Sequence, residues 1–311
     1  MALSVLILGS AAAAPTLARN QTSQLVTTER SIFLVDCGEA TQLQLRRYKV
    51  RFQQIDHIFI SHLHGDHFFG LVGLLSTMHM LGRKSPVQIY GPKELEEVIQ
   101  TQFKYAGGSL SFQQIYHHVE DRNTPIYEDN EVEISAFEVN HRIKCFGYLF
   151  KEKPKPRKIN GKRVAFYDVP NYYRSKLKDG ADFTTEEGEL IPNSALTFDP
   201  PLPQSYAYCA DSAPHDKYLP FIKGVDLLYH EATFMHTEKN RAKKTYHSTA
   251  QQTGAFAAKA RVKKLLIGHF SNRYNDLKPL LAEAKLQFKS TALAVEGKVF
   301  STAPSTNTSK K

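Results

Sequence analysis

Ile55-Asp56-His57-Ile58-Phe59-Ile60-Ser61-His62-Leu63-His64-Gly65-Asp66-His67 is the stretch that decides how this chain is read. Its first six residues make a short, β-branched and aromatic run, the pattern of a buried strand in a layered α/β domain. Phe68 to Leu81 is largely apolar, with Leu71, Leu74, Leu75 and Met78 at helical spacings. The cluster His62, His64, Asp66 and His67 therefore lies in a turn between a strand and a helix. Imidazoles and carboxylates suit zinc or manganese, and alternate positions of an extended turn can aim two side chains at one ion while the next pair reaches a second. Gly65 gives the backbone room to turn. A histidine-rich surface loop that binds metal adventitiously is the bland reading, but a compact motif in a strand-turn-helix context is a stronger signal than the motif alone.

Four side chains cannot complete two ions, so further ligands are required downstream. His141 follows the alternating run Val132 to Phe137, Asp211 follows Tyr206-Ala207-Tyr208-Cys209, and His269 follows Lys264-Leu265-Leu266-Ile267-Gly268. Each stands at the C-terminal end of a predicted strand, where α/β folds gather their active-site groups.

Beyond the metal motif, the chain contains Leu6-Ile7-Leu8-Gly9, Asp36-Cys37-Gly38-Glu39-Ala40-Thr41-Gln42, Gly91-Pro92, His230-Glu231-Ala232-Thr233-Phe234, His247-Ser248-Thr249 and Arg273-Tyr274. With these it resembles the metallo-β-lactamase superfamily and, within it, the ribonuclease Z family of tRNA 3′-processing endonucleases, over nearly its whole length. The HxHxDH motif specifies only the superfamily; the Asp-Cys-Gly-Glu-Ala-Thr-Gln, His-Glu-Ala-Thr-Phe and His-Ser-Thr segments narrow it. The resemblance implies a four-layer αββα sandwich, where pattern alone yields only alternating α/β. It implies two Zn2+ per subunit, with His62, His64 and His141 on one, Asp66, His67 and His269 on the other, and Asp211 bridging. It also implies an endoribonuclease that removes the 3′ trailer of precursor tRNA and leaves a 3′-hydroxyl, acting as a homodimer.

Hydrolysis at phosphorus needs an oriented water and a protonated leaving oxygen. In the family Asp66 serves the water. Histidine is the natural acid near neutral pH, and His247 is the candidate, with Glu231 hydrogen-bonded to its ring to fix orientation and charge. His247 could instead mark a helix start with Ser248 or Thr249 as N-cap, and Glu231 could be a paired structural acid. Ser271 and Arg273, just after His269, are close enough in sequence to reach a phosphate beside the metals. Arg273 reads either as that phosphate ligand or as the partner of a core carboxylate. Phe270 and Tyr274 read as packing residues or as platforms for a base.

The chain has 311 residues with 41% hydrophobic content, enough for a core, and no apolar run approaches the roughly 18 residues of a membrane span. Ala2 to Ala14 is apolar but lacks the basic region of a signal peptide, so Leu3 to Leu8 reads as a first strand. Cys37, Cys145 and Cys209 show no CxxC spacing and read as reduced, buried thiols of a cytoplasmic protein. The net charge of +9 suits a polyanionic partner. From Lys151 to Arg163 there are seven basic residues and one acid, a local charge of +6. Pro154, Pro156 and Gly161 argue against regular structure there.

Residues 1–300 read as one catalytic domain and 301–311 as a disordered tail; the resemblance implies an inserted flexible arm that would grip tRNA, which the basic stretch places at about 151–192. The family's arm carries a Gly-Pro-rich signature, which this chain replaces with Asp168-Val169-Pro170-Asn171-Tyr172-Tyr173. Helices are expected at about 40–48, 68–81, 92–105, 215–221, 248–260 and 277–285. The competing readings are a hydrolase of small phosphodiesters, lactones or sulfate esters using the same metal pair, and an RNA-binding module with a structural zinc, which would need closed coordination.

Overall fold

Alternation along the strands sorts the apolar residues onto two faces. In β1 (Ser4–Gly9), Val5 and Ile7 enter the core between two sheets, while Leu6 and Leu8 face a separate helix-covered core. The same division places Phe33 and Val35 of β3 (Ile32–Cys37) inward and Leu34 outward, and in β4 (Ile55–Phe59) puts Phe59 inward and Ile58 outward. With β2 (Ser23–Thr27), β5 (Val87–Gly91), β6 (Gln114–His118) and the late strand β18 (Val299–Ser301), these make a seven-stranded sheet in the order β18-β1-β2-β3-β4-β5-β6. Its outer face is covered by helices at Thr41–Arg47, Gly70–Met80 and Glu94–Tyr105, through Leu45, Leu71, Leu74, Leu75, Met78, Leu95 and Ile99. The computed structural model describes residues 3–106, 108–120 and 124–303.

The second sheet runs β17-β16-β15-β14-β9-β8-β7. Its members are β7 (Tyr127–Glu128), β8 (Val132–Glu138), β9 (Phe146–Glu152), β14 (Ser205–Cys209), β15 (Leu227–Glu231), β16 (Leu265–Gly268) and β17 (Thr291–Leu293). Strands β14 to β17 are parallel, and the helices Ala250–Ala260 and Lys278–Gln287 pack on their outer face. Tyr148 and Phe150 meet Phe33 and Phe59 between the sheets, with Tyr206 against Phe150, while Phe137 stacks on Phe221. The architecture is helix, sheet, sheet, helix, the sandwich of the metallo-β-lactamase fold.

Residues 152–203 form a second compact unit. Here β10 (Lys158–Ile159) pairs with β13 (Thr197–Phe198), and β11 (Phe183–Thr184) with β12 (Leu190–Ile191). Helices at Gly161–Phe166, Arg174–Lys178 and Asn193–Leu196 close over a small core of Val164, Val169, Leu177, Phe183, Ile191 and Leu196. Asn193 ties it together, its Nδ2 donating to the carbonyls of Leu177 at 2.8 Å and Ala181 at 2.7 Å. The absence of regular structure expected between Lys151 and Arg163 is therefore corrected, and the unit runs to Pro203 rather than 192. Prolines 154 and 156 do precede any element, but Asn160 caps the helix that starts at Gly161.

The helix expected at 68–81 begins earlier, as a turn at Gly65–Phe68 that carries Asp66 and His67. The helix expected from Ser248 starts at Ala250 on a capping box, with Thr249 Oγ1 accepting from Gln252 N and Gln252 Oε1 accepting from Thr249 N at 3.0 Å. The tail expected to be disordered from 301 is corrected at its start. Ser301 pairs with Ser4, and Thr302 is buried with its hydroxyl donating to the Leu3 carbonyl at 3.0 Å. The rest of that segment, 304–311, lies outside the described residues. All three cysteines are buried and free, and no described helix is long and apolar enough to cross a membrane.

Candidate metal centre

Strand ends assemble the site. The parallel neighbours β3 and β4, in register Val35 with Phe59, end at Asp36 and at Ser61-His62. The parallel set β14, β15 and β16 ends at Asp211, Glu231 and His269. The turn between β8 and β9 supplies His141. Two groups result, His62, His64, His141 and Asp211, and Asp66, His67, His269 and Asp211, with all ligand atoms of each within 4.8 Å of one another. Asp211 belongs to both, its Oδ1 lying 3.2 Å from His67 Nε2 and 2.9 Å from His269 Nε2, and its Oδ2 3.6 Å from His62 Nε2. The seven residues read from the sequence as ligands are thus brought together.

Whether these atoms suit a metal follows from where the other ring nitrogens point. His67 Nδ1 sits 2.7 Å from Asp36 Oδ2, and a carboxylate can only accept, so the proton is on Nδ1 and Nε2 offers a lone pair. His141 Nδ1 faces the Tyr246 carbonyl at 3.3 Å. His269 Nδ1 faces Thr233 Oγ1 at 2.9 Å, whose own hydroxyl donates to Glu231. His62 Nδ1 faces Ser61 Oγ at 3.0 Å, a hydroxyl that donates to Asp36 Oδ2. In these neutral tautomers four Nε2 lone pairs, with His64 Nδ1 at 2.9 Å from that of His62, converge on two carboxylates, a set that only cations or added protons can balance. His67 Nε2 and Asp211 Oδ1 are buried without a hydrogen bond among the described residues. Such a set of acceptors fits cations.

The electrostatics agree. Burial pushes the imidazoles of His62, His64 and His141 below the ordinary histidine value, which keeps them in the neutral, ligating form. Burial alone would lower His67 and His269 too, but Asp211 and Asp66 hold both above it, His269 at about 10. Burial would raise the carboxyls of Asp66 and Asp211; the facing His67 and His269 keep them ionised. The pocket demands positive charge.

Beside the ligands, His247 Nδ1 meets Glu231 Oε1 at 2.8 Å, and its ring centroid is 5.4 Å from those of His141 and His269. Glu231 is fully buried and also accepts from Ser212 N at 2.7 Å, Ser248 N at 3.1 Å, Thr233 N at 3.2 Å and Thr233 Oγ1. Burial would lower the His247 imidazolium, and the Glu231 charge and hydrogen bond outweigh it, so its pKa lies above the usual value. A cavity of about 610 Å3 opens over Asp66, His247, Phe69, Arg142, Ser271 and Arg273. Arg273 takes neither side of its earlier reading outright. It lines this cavity, its Nε donates to Ser271 Oγ at 3.1 Å, and its Nη1 pairs with surface Glu238 at 3.2 Å rather than with a core carboxylate. Phe270 is buried, and Tyr274 packs against the core with its hydroxyl accepting from Met235 N.

Three contributors were not singled out from sequence. Asp36, at a left-handed φ of 55°, gathers Ser61 N and Oγ, His67 and the Tyr208 hydroxyl on its two oxygens. Arg142 brings Nη2 to 3.4 Å from His64 Nε2. The opening loop donates Ala13 N to Asp66 Oδ2 at 2.7 Å. That loop is held by Glu296, which accepts from Asn20 N at 2.6 Å and Nδ2 at 2.7 Å, and by Arg19 Nη2 donating to the Tyr274 carbonyl at 2.8 Å.

Comparison with known proteins adds to this geometry. A family model described as "Anti-Pycsar protein Apyc1" matches residues 3–154, which hold β1 to β6 of the first sheet and the His62–His67 motif. Among curated proteins, Ribonuclease Z of Bacteroides thetaiotaomicron is 46% identical over 93% of this chain and 92% of its own length, and Ribonuclease Z of Cytophaga hutchinsonii is 46% identical over 96% of each. Among solved structures, human tRNase Z, short form, superposes with a TM-score of 0.71 at 27% identity over 97% of this chain and 100% of that one. The metallo-β-lactamase fold protein YhfI of Bacillus subtilis, at 20% identity over 96% of this chain and 98% of that one, shares the fold with a TM-score of 0.68. With that identity over almost its full length, and with a centre built to hold metal between two sheets, this chain belongs to the ribonuclease Z family.

Proposed function

We propose that this protein is a zinc-dependent endoribonuclease that removes the 3′ trailer from precursor tRNA and leaves a 3′-hydroxyl on the tRNA. The observation that carries this reading is Asp211 shared between two ligand groups with the His247–Glu231 pair at their rim. His62, His64 and His141 would hold one Zn2+ and Asp66, His67 and His269 the other, with Asp211 common to both and manganese as the alternative ion. Held there, a pair of such ions would lower the pKa of a water and offset charge on a phosphoryl oxygen. Asp66, kept ionised and steadied by Ala13 N, accepts the hydrogen bond of the attacking water and orients it. His247, its Nδ1 proton engaged by Glu231, donates from Nε2 to the 5′ oxygen of the departing trailer. Arg273, aligned by Ser271, offers its fork to the phosphate next to the cut.

The compact unit 152–203 is assigned as the arm that grips tRNA away from the cut, through the basic residues between Lys153 and Arg163. We assign a homodimer in the cytoplasm, where one subunit's arm serves the other's site. The deciding experiment is cleavage of a 3′-extended precursor tRNA by the metal-loaded protein beside a small phosphodiester, with Asp66→Ala as control. Trailer removal that disappears in the control supports the assignment. Hydrolysis of the small ester with precursor tRNA left whole would overturn it. Binding through the arm should weaken steeply with salt, since its contacts are to phosphates.

A further inference from the structure

His247 lines two cavities. Besides the one over the metal ligands, an open groove of about 800 Å3 borders it, and none of the seven ligand residues lines that groove. Its walls carry Lys239, Asn240 and Lys243 from the helix Lys239–Thr245, then Tyr246, and Lys259 from the helix Ala250–Ala260. Lys239 and Lys243 are four residues apart and so share a helix face. Lys259 is neutralised by Asp216, which also lines the groove, at 2.5 Å, and Arg241 and Arg273 pair with Glu238. Among the described residues Lys239 and Lys243 enter no ion pair, and both are exposed. Tyr246 stands between helix and acid in a left-handed conformation, φ 59°, with its carbonyl held to His141 and 42% of its surface exposed.

An in-line displacement fixes what lies on this side of His247. The nucleophile comes from the metal side and the leaving oxygen departs opposite, toward the group that gives it a proton. The strand that continues from that oxygen must therefore run past His247, and the groove is where it arrives. We propose that the groove binds the first nucleotides of the departing trailer, as single-stranded RNA, with Lys239 and Lys243 on its phosphates and a base stacked on Tyr246. Exposed lysines in a channel with an aromatic platform are the parts that hold single strands without regard to sequence. This rests on the endonuclease assignment above and extends it to a product-side subsite.

The test is a ladder of precursor tRNAs whose trailers grow from one nucleotide to six, cut by the zinc-loaded native protein and by a Lys239→Gln, Lys243→Gln double variant, with Lys239→Arg, Lys243→Arg as the charge-preserving control. For the native protein KM should fall as the trailer extends into the groove. In the glutamine variant that dependence should flatten, and the salt dependence for long trailers should lose a slope of about 1.4, as for two single-strand phosphates. The arginine control should restore both. The same dependence of KM on length in the native and glutamine proteins, or none in the native protein, overturns the groove. Binding of a fluorescent single-stranded RNA hexamer is measured alongside. If no precursor is cut at all, the endonuclease assignment fails, and the hexamer still judges the groove. Binding weakened in the glutamine variant keeps it as an RNA site, and equal binding removes it.

Discussion

Replacing Glu231 with glutamine tests the acid in this centre with little change of shape. The carboxylate accepts five hydrogen bonds, from Ser212 N and His247 Nδ1 on one oxygen and from Thr233 N, Thr233 Oγ1 and Ser248 N on the other. An amide has only one accepting end. Turned with its NH2 toward His247, it leaves Ser212 N unpaired; turned the other way, it opposes two backbone N–H groups. The first is cheaper and costs about 1–3 kcal/mol for the orphaned buried donor, a fall of roughly 2–12 °C in Tm. The larger effect is on chemistry. Without the carboxylate, burial acts on His247 with far less opposition and its pKa drops, so less of it is protonated at neutral pH. Activity that needs the protonated ring is lost as pH rises through that pKa, and the alkaline limb of the kcat profile should move to lower pH. Losing a general acid costs about 10²–10⁴ in rate, and kcat on precursor tRNA should fall by that order at neutral pH. On an aryl phosphodiester, whose phenolate leaves without a proton, the loss should be much smaller. The acid role is refuted if kcat for precursor tRNA stays within about threefold of native, or if the two substrates suffer equally.

Asp36→Asn removes a charge that accepts from Ser61, His67 and Tyr208 and fixes the His67 tautomer, so metal affinity should fall by about 10–100-fold, read by titration against a competing chelator. Gly38→Ala places a Cβ 2.5 Å from the Asp66 carbonyl and 2.6 Å from Gln21 Cβ, and should cost about 1–3 kcal/mol in denaturant unfolding while also lowering activity. Thr249→Ala breaks the capping box and should cost about 1 kcal/mol with metal content unchanged. Stripping metals should lower Tm, and zinc at a hundred times its Kd should return about 2.7 kcal/mol. In the stripped protein His269, raised to about 10 from an unfolded value near 6.5, contributes stability that is complete below pH 6.5 and lost as pH climbs through 10. Melting curves from pH 6 to 10 would show a decline that zinc suppresses.

The parts of this centre that the sequence makes legible are those with a local signature. Four ligands fall within six residues, and His141, Asp211 and His269 each close a run of strand-forming residues, so the end-of-strand rule finds them. Asp36 also closes a strand, yet its use depends on β3 lying parallel beside β4 and on a left-handed turn that puts both oxygens under Ser61 and His67. Neither is written locally. Arg142 is an exposed residue in a loop, and only the folded path brings it to His64. Lys151 to Arg163 reads as irregular because the one strand wholly within it is two residues long and pairs across some forty positions, Lys158 with Phe198. Strand β18 was missed for the same reason. Period-2 and period-3.6 patterns give alternating α/β, while the pairing of two sheets face to face came from the family resemblance.

The tie between Glu296 and Asn20, and the pairing of β18 with β1, also set when this protein can become a nuclease. Synthesis delivers His62, His64, Asp66 and His67 first, but the loop that steadies Asp66 lacks its last tether until Glu296 has emerged. The sheet that presents those ligands lacks its edge until residue 301. Such long-range closures form late and slowly. A half-made chain therefore carries ligands without a finished centre, which closes only when Glu296 reaches Asn20 and β18 reaches β1.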